Sequence, residues 1–334
     1  MFSNLNLVIS YFRNYLYNKS KPLLLVKKKK IQKSKQKLNK DTIYIIKRDR
    51  WHGMFSNVHY VILHIIFCFK NNYTTLIDMK NFPSIYNEKH KIKKTFNSWE
   101  YYFKQPSKIK LDKIYKQKNY FFSDSNNIDT SKIFSKDYKK YKKILKNLIH
   151  KDIIYESNKF KKKFFKNKKI LGIHIRGSDQ KKAAAHPFPP TIQQIKSETR
   201  KLMDKKKFDF IFLVTEELNY LEKMKKYFPN KIINYDSFKS DEDIFSSYPR
   251  KNHRYRIGLE TIINMLLLSE VNHLLHSNSN FSAMSVHFSN KRLKQTIIYN
   301  GKNSKNIFIS NFLWYFKFFL PFQFGGFKNK LITK

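Results

Sequence analysis

The sequence predicts an α/β protein whose strands form parallel sheets. Segments rich in β-branched and aromatic residues, typical of strands, alternate with segments whose apolar residues recur at helical spacing. Strand and helix in strict turn are typical of a doubly wound sheet with right-handed crossovers. A chain of 334 residues, 41% of them hydrophobic, is long enough for two domains of ordinary size.

The first half of the chain begins with a strand–loop–helix–strand unit. Residues 42–46 form the first predicted strand, Gly53 lies in the loop after it, and Ser56 is a suitable N-cap for the next helix. Residues 74–78 form the second strand, which ends in the carboxylate of Asp78. Apolar residues share one face of the intervening helix: Val58, Val61, Ile62, Ile65, Ile66 and Phe69. This order of elements is the unit of a parallel sheet.

The second half alternates between strand and helix more clearly. The predicted strands cover residues 170–175, 208–214, 231–235, 271–276 and 295–299. The predicted helices between them cover residues 191–206, 217–227, 256–269 and 281–288, and a basic helix over residues 138–150 precedes them. Ligands of such sheets bind beyond the carboxyl ends of the strands. The polar residues directly after each strand are therefore the candidates for a binding site.

Four segments are predicted along the chain. Residues 1–40 form a basic leader, interpreted either as a flexible tail or as an anchor for an anionic membrane. Residues 41–160 and 161–300 form the two domains. Residues 301–334 form an aromatic segment that either packs back across the N-terminal domain or touches a membrane interface. No run of residues reaches the roughly 18 apolar residues of a membrane span.

The net charge of +44 is the most unusual global property of the chain. The excess is lysine rather than arginine and accompanies many Asn, Ile, Phe and Tyr residues, which indicates a bias in the coding sequence. We therefore interpret most lysines as solvated surface residues and do not expect a nucleic-acid partner. The only cysteine, Cys68, lies in an apolar run and is predicted to be a buried thiol. No Cys and His cluster has metal-ligand spacing.

Arg176 and Gly177 directly follow the strand at residues 170–175. A guanidinium matches phosphate oxygens through two parallel hydrogen bonds, which lysine, the prevailing cation of this chain, cannot form. Gly177 allows either a close approach of the backbone to a ligand or a positive φ. Asp179 is placed to orient Arg176 or to act on an acceptor hydroxyl, and an ordinary surface Arg–Asp pair is the alternative.

Polar residues also follow two other strands. Ser277 and Ser279 come after residues 271–276 and precede a helix, whose first N–H groups form an anion site. Plain N-capping accounts for one of these residues but not for the whole polar run. Glu216 closes the strand at residues 208–214, where a carboxylate contacts a sugar or caps the following helix.

The apolar helix at residues 256–269 carries a polar line at a spacing of four residues, formed by Arg256, Glu260 and Asn264. Buried polar groups need hydrogen-bond partners. A hydrogen bond between Glu260 and Asn264 and a contact of this line with a ligand are the two interpretations.

Several sequence blocks together resemble the core α-1,6-fucosyltransferases and the rhizobial nodulation fucosyltransferases. The first block is His174-Ile175-Arg176-Gly177-Ser178-Asp179, followed by Ala183-Ala184-Ala185-His186-Pro187. Further similar blocks are residues 212–217, residues 263–280, and the N-terminal residues 53–56 and 97–103 together with Asp78. The resemblance covers roughly residues 42–290.

This resemblance implies a GT-B fold, in which two Rossmann-like domains hold the donor in the cleft between them. It implies an inverting, metal-independent transfer of fucose from GDP-fucose to a glycan acceptor, with no cofactor besides the donor substrate. By position, Arg176 would bind the β-phosphate with support from His174, and Ser277 or Ser279 would complete the phosphate site. The expected donor-binding residues are His174, Arg176, Gly177, Asn264, Ser277, Ser279 and Gly53. The expected catalytic residues are Arg176, Asp179 and Glu216.

The chain departs from the family pattern at three positions. Gly177 replaces the second arginine of the family, and Gln180 stands where a lysine is usual. Asn264 replaces an aspartate that contacts guanine in relatives. An amide cannot accept hydrogen bonds from both N1–H and N2–H of guanine as a carboxylate does. The third departure leaves the base of the donor open.

Two other functions remain as alternatives to a glycosyltransferase. One is a basic nucleic-acid-binding protein, in which interleaved aromatic and lysine residues such as those at 138–146 contact bases and phosphates. The other is an inactive relative that binds glycan only. For the enzyme we expect a cytoplasmic location with peripheral contact to an anionic membrane surface.

Overall fold

The computed structural model of the chain describes residues 42–48, 52–115, 120–124 and 138–327. At residues 138–141, 178 and 179 it describes the backbone alone. The leader expected at residues 1–40 and the end of the chain at residues 328–334 lie outside the described residues.

The described residues contain eight strands: β1 Ile43–Ile46, β2 Thr74–Ile77, β3 Tyr120–Phe122, β4 Ile170–Ile175, β5 Phe210–Thr215, β6 Ile232–Ile233, β7 His273–His276 and β8 Lys294–Ile297. Their α-helices are α1 Met54–Lys70, α2 Leu111–Ile114, α3 Tyr138–Leu148, α4 Lys151–Phe164, α5 Ser178–Lys182, α6 Ile192–Lys206, α7 Leu218–Tyr227, α8 His253–Leu268, α9 Asn280–Phe288 and α10 Ile307–Phe319. Short 3-10 helices lie at Ser98–Tyr101 and Phe322–Phe324.

The first sheet has the strand order β2-β1-β3, and all its described strands are parallel. The β1 strand lies in the middle and is buried along its whole length, as its β-branched residues favour. Helix α1 returns the chain from β1 to β2 and buries most of its own length. The β3 strand was not predicted, because three half-buried residues do not produce a recognisable alternation.

The second sheet has the strand order β6-β5-β4-β7-β8, and all its described strands are parallel. The predicted α/β fold with parallel sheets is confirmed. From β4 the chain moves outward through β5 to β6, and it then returns to the other side of β4 to form β7 and β8. Helices α6 and α7 cover one face of this sheet, and α8 covers the other and packs against α4.

The predicted N-cap of the first long helix was wrong. Helix α1 begins at Met54 after Gly53, and no side chain caps it. The hydroxyl of Ser56 instead accepts a hydrogen bond of 3.1 Å from Nη2 of Arg48. Arg48 approaches because its guanidinium also lies over the ring of Tyr60, 4.5 Å from its centroid. Because the helix begins two residues before it, Ser56 lies inside the first turn and not at the N-cap position that its residue type favours.

The two sheets pack through a continuous core, to which α1, α8 and α9 contribute. At its edge, Tyr102 donates a hydrogen bond of 3.0 Å to the carbonyl oxygen of Tyr255, and the two rings stack 5.6 Å apart. This contact requires Gly258, because a Cβ at this position would clash with the hydroxyl of Tyr102. The predicted boundary between residues 160 and 161 falls inside α4.

The C-terminal helix α10 packs on the half of the chain that contains the second sheet. Its Trp314 donates a hydrogen bond of 3.0 Å to the carbonyl oxygen of Pro189, and Ser310 donates one of 3.0 Å to that of Lys182. Phe188, Trp314 and Phe327 form a small core there. The segment therefore packs back on residues 181–189 rather than across the first sheet. None of the described helices has the length and apolarity needed to cross a membrane.

We predict that Gly258→Ala lowers the free energy of unfolding by about 1–3 kcal/mol, because the added methyl group overpacks the Tyr102 contact. A Gly→Ala change at an uncrowded helix position would instead stabilise by about 0.5–1 kcal/mol. Urea unfolding measures the difference, and Arg256→Ala on the exposed face of the same helix is the control. A Gly258→Ala protein that is as stable as the parent would show that the contact between Tyr102 and α8 does not require glycine at this position.

Candidate functional site

The candidate site lies where the strand order of the second sheet reverses. Strand β4 is flanked by β5 and β7, and Ile175 and His174 pair with Thr215 and His276 respectively. The residues that follow these three strands therefore emerge at one edge. They are Arg176 and Gly177 after β4, Glu216 and Glu217 after β5, and Ser277, Asn278 and Ser279 after β7. The crevice outside the carboxyl ends at such a reversal is the usual ligand site of an open parallel sheet.

His174 and Arg176 have different electrostatic roles at this edge. His174 is buried, stacks on the ring of Phe281 at 4.3 Å and forms a hydrogen bond of 2.7 Å with Oγ of Ser282. Burial, with the neighbouring His276 and Arg176, lowers the pKa of His174 to about 3. The imidazole is therefore neutral at physiological pH, and the half-buried Arg176 carries the positive charge.

The two candidate serines after β7 differ in the hydrogen bonds that their hydroxyl groups form. Ser279 is the N-cap of α9: its Oγ accepts from the backbone N–H of Ser282 at 3.1 Å and donates to Oγ of Ser282 at 3.1 Å. Ser277 is buried, and its hydroxyl has no hydrogen-bond partner among the residues that the structure describes. An unpartnered buried hydroxyl costs about 1–3 kcal/mol. Of the two serines, Ser277 is thus the one whose hydroxyl remains for a ligand.

Gly177 is explained by crowding. A Cβ at this position would lie 2.5 Å from Cδ of Glu217, whose side chain covers the glycine. Glu217 is buried and forms an ion pair of 3.2 Å with Lys181. The ammonium group of Lys181 lies 5.3 Å from the ring of Tyr220 and 5.2 Å from the ring of Trp314. The positive φ that the sequence allowed for Gly177 is not observed.

The candidate carboxylates at this edge are placed differently. Glu216 is exposed, and its carbonyl oxygen accepts a hydrogen bond of 2.9 Å from the N–H of Ser240. Asp179 lies in α5, and its side chain is outside the described residues. Gln180, at the position of the family's lysine, is buried with no hydrogen bond to its Oε1.

The polar line on α8 divides into two parts. Glu260 accepts two hydrogen bonds, of 2.6 and 2.8 Å, from the guanidinium of Arg250 and a third from the N–H of Phe238. The hydrogen bond considered between Glu260 and Asn264 does not form. Asn264 is buried, and its side chain makes no hydrogen bond with the described residues.

Asn264 belongs to α8, the helix that packs on β4. Gly172 of β4 packs against Leu268 of α8, with its Cβ position 2.9 Å from Cδ2 of the leucine. Asn264 lies four residues, about 6 Å, before Leu268 along the helix. This packing places the helix that carries Asn264 against the strand that carries His174.

A cavity of about 540 Å³ opens beside the carboxyl ends of β5 and β6. Basic and acidic side chains both line this cavity. The basic ones are Lys239, Arg250 and Arg256, the acidic ones are Asp236 and Glu260, and the remaining lining residues are Leu218, Leu221, Asn234, Ser237 and Phe238. Ser240, whose N–H binds Glu216, follows this lining directly. The cavity is large enough for a sugar ring. The hydroxyl groups of a sugar can form hydrogen bonds with both the carboxylates and the cations that line it.

Gly53 approaches the same crevice from the first sheet. Phe55, two residues later in α1, packs edge-on against Phe281 with the centroids 5.1 Å apart, and Phe281 stacks on His174. No atom of the described residues lies within 4 Å of the position of a Cβ at Gly53. Its φ of −65° does not require glycine, so the residue leaves open space at the start of α1.

Sequence patterns missed Ser282, Phe281 and Lys181 as parts of the site. Phe281 and Ser282 lie in the first turn of α9, beyond the last residue of the similar block, and contact His174. The lysine one position after Gln180 was the available signal for the pair with Glu217. The buried thiol predicted for Cys68 is confirmed, and burial raises its pKa to about 12. In the described part of the chain, no group of three or more His, Cys, Asp or Glu side chains is arranged to hold a metal ion.

No protein-family model and no curated protein matches the chain. Solved structures do match. The crystal structure of the fucosyltransferase NodZ from Bradyrhizobium has a TM-score of 0.51 at 13% identity and covers 77% of this chain and 95% of that chain. A structure of NodZ α-1,6-fucosyltransferase soaked with GDP-fucose has a TM-score of 0.50 at 16% identity and covers 77% and 94%. The likeness shows that the chain shares the α/β fold of these enzymes.

We predict that Lys181→Met lowers the free energy of unfolding by about 3–5 kcal/mol, because it removes an ion-pair partner from the buried carboxylate of Glu217. Adding Glu217→Gln should recover part of that loss, since the buried charge is then gone. The exposed pair of Lys80 and Asp112 provides the control, and Lys80→Met should cost less than about 1 kcal/mol. Urea unfolding of the parent and the three variants measures these free energies. Equal losses of stability in Lys181→Met and Lys80→Met would contradict the role of the Lys181–Glu217 ion pair.

Proposed function

We propose that this chain is a glycosyltransferase that transfers fucose from GDP-fucose to a glycan acceptor, with inversion and without a metal ion. The diphosphate of the donor would lie at the reversal of the second sheet. Arg176, the hydroxyl of Ser277 and the first N–H groups of α9 would bind it. The donor cleft would separate two Rossmann-like domains in a GT-B arrangement, formed by residues 41–160 and 161–300.

The observation that carries this proposal is the meeting of Arg176 and Ser277 at the edge between β4 and β7. A nucleoside diphosphate needs a planar cation and hydrogen-bond donors on one side, and a helix N-terminus adds a favourable dipole. The buried hydroxyl of Ser277 has no partner in the described part of the chain, which supports a ligand contact. His174 is neutral and held by Ser282, so it would support the site by position and not by charge.

Charge develops on the leaving diphosphate during transfer. Without a metal ion, Arg176 and the N–H groups of α9 would stabilise that charge, and such fixed donors are worth most when aimed at the transition state. A base must accept the proton of the acceptor hydroxyl. Glu216 is our candidate among the described side chains, because it is exposed beside the cavity at β5 and β6, where the acceptor would lie. Asp179 is the other candidate. Gly53 would leave room for the donor at the opposite wall.

The test of this function is thermal unfolding with GDP, UDP, CMP and ADP, each without divalent metal. At about 100 times its dissociation constant, GDP should stabilise the protein by about 2.7 kcal/mol. A shift with UDP alone would reject fucose and keep a glycosyltransferase, and no shift with any nucleotide would reject the proposal. Release of fucose from GDP-fucose then distinguishes an active enzyme from an inactive relative.

Arg176→Lys should reduce activity at least ten-fold, because lysine keeps the charge but loses the bidentate geometry, and a hydrogen bond to a charged group is worth about 1.5–3 kcal/mol. The control is Arg200→Lys on the exposed surface of α6, which should leave activity unchanged. Circular dichroism checks that both variants fold. A fully active Arg176→Lys enzyme would remove Arg176 from the diphosphate site.

Asn264→Asp should strengthen GDP binding about ten-fold, because a carboxylate accepts hydrogen bonds from both N1–H and N2–H of guanine, each worth about 1.5–3 kcal/mol less the cost of burying the charge. UDP and ADP lack this edge, so their affinities should not rise. Calorimetric titration of the three nucleotides measures the effect. An equal change for all three would place the base away from Asn264.

A further inference from the structure

We propose that the exposed face of α10 is a docking surface for an anionic lipid membrane. The face consists of Phe308, Phe312, Phe316 and Phe319, which follow one another at helical spacing. All four side chains are exposed, Phe308 by 80% and Phe319 by 72%. Ile307, Ile309, Phe322 and Phe324 are exposed beside them.

The opposite face of the same helix is fully accounted for. Ser310 and Trp314 are buried, and their polar atoms bind the carbonyl oxygens of Lys182 and Pro189. Phe318 stacks on Trp314 at 5.4 Å. A helix that is apolar all round is ordinarily buried all round. The fold covers only one face of α10, and a continuous aromatic surface on the other face marks an interaction site.

The charge around this surface selects its partner. Glu270 is the last acidic residue of the chain, and no Asp or Glu occurs in residues 271–334. In the same stretch, Lys302 and Lys305 precede α10 and Lys317 lies on it. Lys302 and Lys305 are exposed directly before α10. Each lysine near an anionic membrane contributes about 1 kcal/mol of attraction.

A second copy of this chain fits the exposed face of α10 less well than an anionic membrane does. Two copies would each bring a net charge of +44 and an acid-free C-terminal segment to the interface. Like charges at close range oppose such a pairing. Protruding aromatic rings with flanking lysines instead match the boundary between lipid headgroups and acyl chains. In that position α5, which contacts α10 and begins two residues after Arg176, would lie just above the membrane.

Sedimentation of the full chain with vesicles tests the proposal. Vesicles of phosphatidylcholine with phosphatidylglycerol should bind the protein at about 0.15 M salt, and vesicles of phosphatidylcholine alone should bind it at least ten-fold more weakly. At about 1 M salt the Debye length falls to about 3 Å, so the electrostatic attraction is screened and a residual fraction held by the rings should remain bound.

The variant Phe308→Ser/Phe312→Ser/Phe316→Ser should reduce the partition coefficient at least ten-fold and leave the unfolding temperature unchanged, because these rings pack on nothing that the fold requires. Tyr155→Ser, at an equally exposed ring on α4, is the matched control and should bind like the parent. Absence of binding to anionic vesicles, or an equal loss in the Tyr155 variant, would overturn the proposal. The proposal would also be overturned if the parent protein is a dimer in analytical ultracentrifugation and the triple variant is a monomer.

Discussion

The reversal of strand order between β4 and β7 is the constraint on which the rest of the site depends. A right-handed crossover carries the chain outward from β4 to β6, and one longer connection returns it to β7 on the other side. The loops after β4 and β7 therefore leave in opposite directions and open a crevice between them. Arg176 and Ser277 border that crevice because each is the first residue after its strand.

The edge combines satisfied and unsatisfied polar groups. Ser279, Ser282 and His174 form one connected set of hydrogen bonds at the start of α9. Burial, with the neighbouring His276 and Arg176, lowers the pKa of His174 and keeps its imidazole neutral. Ser277 stands outside that set, and its buried hydroxyl forms no hydrogen bond with the residues described here. Buried networks stabilise when they are complete, and an isolated buried group costs free energy. The contrast separates residues that shape the crevice from one that would meet a ligand.

The sequence predicted regular structure well where it depends on local pattern. The bounds of β4 were correct, because a run of six buried residues ends at a change to polar residues. Helix α4 was missed, since its lysines outnumber its apolar residues and only Ile153 and Ser157 are buried in it. The N-cap at Ser56 was wrong because the helix already begins at Met54, after Gly53.

Site details that depend on tertiary contacts were beyond the sequence. Whether the hydroxyl of Ser277 or of Ser279 caps α9 depends on where the helix begins, and the two serines stand three residues and one residue before it. The side chain of Glu217 lies over Gly177 only because β4 and β5 are neighbours in the sheet. Exposure of the α10 rings likewise depends on which face the fold covers, since apolar residues occur all around that helix.

The central claim is that a nucleoside diphosphate binds at the reversal of the second sheet. A crystal structure of the full chain with GDP tests it most directly. We expect the β-phosphate to lie within hydrogen-bond distance, about 2.7–3.2 Å, of both the Arg176 guanidinium and the Ser277 hydroxyl. GDP bound instead in the cavity between Arg250 and Arg256, with Arg176 and Ser277 untouched, would contradict it.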